Sequence, residues 1–186
     1  MDYEKAIIAQ ETFKAVMNAF ARPFRETRLP ERALGGEESS AVKLLAFTLA
    51  DNAVSLYVHN DGELDAGIRE TTNAKPAGAD KADFVILRGA DGRGMLSKVN
   101  RGSLPDPQKG ATVIICVPEL RGAARITAEG PGIAGSIVFG ASECVAEYLR
   151  EASALDAEYP MGFEMLFVTP RGEILAAPRR VRREAL

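Results

Sequence analysis

Hydrophobic and polar positions along the chain follow periods that change several times between helix and strand. Over residues 3–20, Phe13, Val16, Met17 and Phe20 recur at the i, i+3, i+4, i+7 spacing that puts them on one helical face. Pro23 stops this helix near Ala21, and its apolar face either covers the core or docks a partner. Residues 31–40 are polar around Gly35-Gly36, and Ser39 or Ser40 can cap the next helix. Residues 41–50 (AVKLLAFTLA) are apolar nearly all round, which predicts a buried helix. Asp51-Asn52 closes it, and residues 54–58 read as a strand.

Residues 64–71 predict a short helix and 83–88 (DFVILR) a second strand. A weak helix is expected over 91–99, where Gly92 and Gly94 blur its start, and the Pro- and Gly-rich stretch 100–110 is a loop. Residues 111–118 form the most apolar strand of the chain and should be central. A short polar turn at 120–122 leads to a strand over 124–128, which predicts two antiparallel neighbours. Residues 142–155 form a helix with Ser142 as N-cap and Val145, Leu149, Ala152 and Leu155 on one side. Its acids Glu143, Glu147, Glu151, Asp156 and Glu158 belong to a solvated face or meet a basic partner. Last comes a hairpin: strand 163–169, a turn at Pro170-Arg171-Gly172, and a return over 173–177 that Pro178 ends. After two helices the order is β-α-β-α-β-β-α-β-β. It predicts an α/β fold, a three-layer sandwich with a mixed sheet and helices on both faces. The 186 residues suit a single domain over 1–186.

Composition narrows the function more than the fold. A net charge of −3 with a pI near 5.4 argues for neither nucleic acid nor membrane as partner. No apolar run reaches ~18 residues and no basic-then-apolar leader opens the chain, so a soluble, cytoplasmic protein is expected. Cys116 falls in a strand and Cys144 in a helix, with no CxxC spacing, so no metal site is expected. His59 is the only histidine, lacks partners at ligand or catalytic spacing, and is expected at the surface. The glycine-rich EGPGIAG lacks the Gly-Lys-Ser/Thr ending of a phosphate loop and the spacing of a dinucleotide fingerprint, leaving a structural turn.

Several short motifs occur in a fixed order. FKAVMNAFARP is a helix running into a proline. LLAFTLADNAVSLYV carries Leu49, Asp51 and Val54. Gly102, Pro105, Gly110, Ala111 and Thr112 are followed by Gly130, Pro131, Gly132 and Ile133. Pro160, Gly162 and Glu164 precede two short strands, and Pro178-Arg179 follows them. Together they resemble the PhnH family, a subunit of the bacterial carbon–phosphorus lyase complex, over nearly the whole chain. The resemblance implies a fold similar to the large domain of transferases dependent on pyridoxal phosphate (PLP), but without a PLP site. No lysine here occupies an apolar strand-end context that would lower its pKa for a Schiff base, so no cofactor is expected.

The resemblance also implies a function. The chain would be a required subunit, beside PhnG, PhnI and PhnJ, supporting formation of ribose 1-methylphosphonate 5-triphosphate from ATP and methylphosphonate. ATP or phosphonate would reach it through the complex, and the isolated subunit would be a homodimer. The alternative is a stand-alone phosphonate- or nucleotide-binding protein, or a cryptic transferase. Candidate substrate-binding residues are Asp51, Arg69, Thr72 and Arg179. Asp51 is either a ligand-facing acid or a turn former. Arg69, Thr71, Thr72 and Lys75 either contact a phosphate together or form a helix C-terminus with Asn73 in the turn, and Thr71 stands where the family often has histidine. Gly130, Gly132, Pro160, Gly162, Glu164 and Pro178 are motif positions with structural roles. Arg179, Arg180, Arg182 and Arg183 read as a solvated tail, a contact to an acidic partner, or a triphosphate or phosphonate clamp. On this reading Arg179→Ala weakens assembly while leaving the lone fold intact, and Arg183→Ala does little.

Overall fold

The structure, a computed structural model, describes residues 3–155 and 159–185. Its centre is set by three short apolar runs, FVILR, TVIIC and EMLFV, whose lack of polar alternation requires cover on both faces. They become β4 (Phe84–Arg88), β5 (Thr112–Cys116) and β8 (Glu164–Val168), all parallel. Parallel β2 (Ser55–Val58) and the two-residue β3 (Lys75–Pro76) extend the sheet on one side. On the other side β9 (Glu173–Ala177) and β1 (Thr27–Arg28) are antiparallel. The order is β1-β9-β8-β5-β4-β2-β3, a seven-stranded mixed sheet with β5 in the middle. The terminal hairpin forms as its turn residues demand: Gly172 has φ 77° and its N–H donates to Thr169 O at 2.9 Å.

Two apolar layers sandwich the sheet. On one face α1 (Tyr3–Ala21), α2 (Ser40–Leu49) and α3 (Gly62–Thr72) cover Leu56, Ile86, Ile114 and Leu166. On the other, α4 (Glu143–Ala154) shares a core with Val85, Val113, Ile115 and Phe167. Ser142 caps α4 by accepting from Val145 N, while Asp61 caps α3 by accepting from Leu64 N at 3.0 Å. Ser39 precedes α2 without a side-chain capping bond.

Tertiary contacts overrule several sequence expectations. Strand 124–128 is not a neighbour of the central strand. It belongs to β6 (Arg121–Glu129), the middle strand of a second, three-stranded sheet. Both edges of β5 are already taken by β4 and β8, so no place remains beside it. A further strand, β7 (Ser136–Ala141), was not expected from the sequence and pairs with β6 through the EGPGIAG turn. The arginine-rich end is not a solvated tail but β10 (Arg182–Ala185), antiparallel to β6. Instead of a helix over 91–99 there are two 3-10 turns, Gly89–Gly92 and Leu96–Lys98. The Glu151 carboxylate stitches this region down by accepting from Gly94 N and Leu96 N, both at 2.9 Å, so this acid is not merely solvated. Asp156 and Glu158 lie outside the described residues.

The inner face of α1 also differs. Thr12, Ala15, Val16 and Ala19 are buried, whereas Phe13 and Met17 are 49% and 54% exposed. Small residues let α1 approach α2 and β9 closely, which returns more packing than the large side chains would.

Candidate functional site

Two cavities lie at opposite ends of the large sheet. The first, about 290 Å³, opens at the carboxyl ends of β4, β5 and β8, where open α/β sheets commonly bind ligands. Ser39, Arg88, Cys116 and Thr169 line it. Arg88 is already neutralised: Nη1 meets Asp61 Oδ2 at 2.5 Å and Nη2 meets Glu38 Oε1 at 3.1 Å. The Leu64 N–H and Arg88 hold the Asp61 carboxyl below its ordinary range, against a smaller opposing effect of burial. Burial pushes the Cys116 thiol up to about 12, so it carries no thiolate at neutral pH. Half-buried His59 lies at the end of β2, with Nδ1 3.2 Å from the Tyr57 hydroxyl. The crevice thus holds a satisfied cation and an inert thiol, and the Thr169 hydroxyl in its wall donates to Glu173 Oε2 at 3.1 Å while accepting from Glu173 N within the hairpin.

The second cavity is larger, about 770 Å³, and basic. It is walled by the end of α4, by residues 159–163 before β8, and by residues 178–183 between β9 and β10. Pro178 ends β9 and, accepting from Val181 N at 3.1 Å, turns the chain toward the second sheet. Five arginines line the cavity: Arg101, Arg179, Arg180, Arg182 and Arg183. Among the described residues no carboxylate does so.

Arg179 is fastened within the chain. Its Nε meets Glu164 Oε1 at 2.8 Å, its backbone N–H donates to Glu164 Oε2 at 3.0 Å, and Nη1 donates to Pro107 O and Gly162 O. Gly162 has φ 142°, and a Cβ there would sit 3.0 Å from Arg179 Cβ, so glycine lets the arginine stem lie against the backbone. Arg101 donates to Leu155 O at 3.1 Å. Arg180 stacks 5.7 Å above the Tyr159 ring. The Arg183 side chain is half-buried with its Nε enclosed, and desolvation lowers its pKa to about 10 although Glu164 works in the opposite direction.

Of the four candidate substrate-binding residues, only Arg179 lines either cavity. Asp51 is exposed and its Oδ1 accepts from Ala53 N at 2.8 Å, a local turn. Arg69 spends its donors on Asp65, Ala74 O and Leu56 O. Thr72 is buried and donates to Ile68 O at 2.8 Å, while Thr71 bonds Gly67 O and Ile68 O. Asn73 caps α3 in the left-handed conformation, and Lys75 is exposed in β3. These residues therefore form a helix end rather than a pocket. Gly130 and Gly132 shape the β6–β7 turn: a Cβ on the first would press on Arg180 O and Val181, on the second on Pro23 and Ala21 O. Pro160 follows a cis peptide bond. Sequence reasoning missed Arg101, which looks like any loop arginine, and the trio Arg88, Asp61 and Glu38, whose members are far apart in the chain.

Among the described residues no lysine lines either cavity. Among the described residues no group of three or more His, Cys, Asp or Glu is placed to hold a metal ion, and no helix is long and apolar enough to cross a membrane.

Comparison with known proteins accords with this architecture of short motifs in fixed order. The putative C-P lyase subunit protein HtxG of Stutzerimonas stutzeri is 30% identical over 176 residues, covering 91% of this chain and 83% of that protein. The alpha-D-ribose 1-methylphosphonate 5-triphosphate synthase subunit PhnH of Rhizobium meliloti is 26% identical over 184 residues, covering 95% of this chain and 90% of that one. Residues 3–184 match the family described as bacterial phosphonate metabolism protein (PhnH), and the chain belongs to that family.

Proposed function

We propose that the chain is a subunit of a carbon–phosphorus lyase assembly in phosphonate catabolism, supporting formation of ribose 1-methylphosphonate 5-triphosphate from ATP and methylphosphonate. The observation that carries this reading is the family match over residues 3–184. The synthase subunit name of the Rhizobium relative supports it. The partners are PhnG, PhnI and PhnJ, the compartment is the cytoplasm, and the isolated chain pairs with itself. We also read the seven-stranded mixed sheet as the scaffold of the large domain of PLP-dependent transferases, without the cofactor.

A host in which this gene is deleted should fail to grow on methylphosphonate as sole phosphorus source and recover when the gene is restored. Tagged PhnI should co-purify with the chain. Undiminished growth of the deletion strain would overturn the assignment.

A further inference from the structure

We propose that the arginine-lined basin at the amino end of β8 binds a phosphoryl-rich anion, and that this chain does so alone. The inference goes beyond membership of an assembly and does not depend on it.

Structural duty accounts for only part of the charge. Arg179 is satisfied by Glu164 and two carbonyls, and Arg101 has the Leu155 carbonyl. Arg180 and Arg182 are exposed on the rim; Arg182 lies opposite the exposed Glu129 across the β10–β6 ladder, and among the described residues no carboxylate lines the basin itself. Arg183 is the telling case. In β10 it lies opposite Ala128 of β6, which is fully buried in the core beneath the second sheet. Directly opposed residues share a face, so Arg183 projects inward, where a strand ordinarily carries an apolar side chain. Among the described residues its Nη1 reaches Pro178 O at 3.3 Å and Val181 O at 3.5 Å, and its buried Nε has no acceptor. A buried cation with an open donor is costly unless an anion completes it.

The shape points to the kind of anion. A cavity of about 770 Å³ is of small-molecule size, within the ~300–1,000 Å³ usual for ligand pockets. Guanidinium forks match the oxygens of phosphate and phosphonate groups, and Arg180, Arg182 and Arg183 around one cavity suit several phosphoryl groups better than one. Clustered positive charge on the wall of a cleft raises the local concentration of such ligands. Tyr159, with Arg180 above its ring, adds a flat apolar wall on which the organic part of a phosphate ester can lie.

The test is titration calorimetry on the purified full chain at about 50 mM salt, where screening is modest. Inorganic triphosphate is expected to bind, and to weaken steeply as salt rises. Titrations of orthophosphate, methylphosphonate and ATP then separate a polyphosphate site from a phosphonate site. The double variant Arg180→Ala/Arg182→Ala alters exposed side chains, so it should keep the parent's melting temperature while losing roughly ten-fold or more in affinity. Arg183→Met removes a buried charge without leaving a cavity. It should melt at or near the parent's temperature and also lose roughly ten-fold or more in affinity, whereas an arginine serving only structure would cost stability and leave binding alone. Lys75→Ala, outside the basin, should bind like the parent. Absence of triphosphate binding up to millimolar concentration overturns the proposal, as does unchanged affinity in both arginine variants. Binding of poly-glutamate in preference to triphosphate overturns it in favour of an acidic protein segment. Because the titrations use the lone chain and the growth assay tests the assembly, failure of one is distinguishable from failure of the other.

Discussion

Arg179→Ala offers the sharpest measurement on the fold around the basin. The arginine joins four parts of the chain: Glu164 at the start of β8, Gly162 before it, Pro107 in the loop ahead of β5, and its own segment after β9. The Arg179 and Glu164 side chains are 20% and 25% exposed, so the pair is mostly but not wholly shielded. A charge-assisted hydrogen bond contributes ~1.5–3 kcal/mol, and the residual exposure argues for the lower part of that range. The carbonyls of Pro107 and Gly162 lose a donor, adding roughly 0.5 kcal/mol each where water reaches them. The backbone N–H of residue 179 still donates to Glu164, so part of the link survives. The sum is ~2–3 kcal/mol, or about 5–10 °C in Tm for a domain of this size.

The chain has no tryptophan, so far-UV circular dichroism during thermal and urea unfolding is the suitable assay. A double-mutant cycle with Glu164→Ala should return a coupling of ~1 kcal/mol or more. A change below ~0.5 kcal/mol for Arg179→Ala would refute the reasoning and restore the sequence-based expectation, in which this substitution spares the fold. Arg183, likewise expected from sequence to matter little, sits on the inner face of β10 instead.

Three further outcomes are expected. Gly162→Val should cost more than ~1 kcal/mol in urea unfolding, because a β-branched residue at φ 142° is strained and its Cβ would meet Arg179; a variant that unfolds with the parent would contradict this. Asp61→Asn keeps the cap on α3 but loses the charge opposite Arg88. Because the folded pKa of Asp61 lies below its unfolded value, the pair's stabilisation is present above about pH 4 and is lost as pH falls through the folded pKa. The gap between parent and variant in urea midpoint should therefore close in acid, and a gap that widens there would be the wrong sign. In light scattering the isolated chain should run as a dimer with the two-fold contact most homo-oligomers use, a monomer at tens of micromolar being the contrary result.

Where every position faces the core, the residues alone suffice. FVILR, TVIIC and EMLFV read as strands and the apolar run at 111–118 as the central one, which β5 is. Its parallel neighbours β4 and β8 were not legible, since an antiparallel partner at 124–128 was expected. Pro170-Arg171-Gly172 announced the hairpin because its φ requirements are local. Ser142 announced α4 because capping is local too. Motif order across the whole chain was enough to identify the family, since that information is linear.

What depends on a partner surface was not legible. The run SIVFGA hid β7, because Val138 faces outward, 50% exposed, and Gly140 carries no side chain to mark a face. The periodicity of α1 picked its largest residues, yet close approach of α2 and β9 selected the small ones. RRVRR looks like a solvated end until β10 pairs with β6 and alternation turns Arg183 inward. The basin joins arginines from residue 101 and from residues 179–183 with Tyr159, segments that no local pattern relates. Sequence by itself determined which segments must be buried and which family the chain belongs to, because burial and motif order are written residue by residue. Only the tertiary structure decided which charges meet, because the distance between two side chains depends on how sheets and helices pack, and spacing along the chain does not encode it.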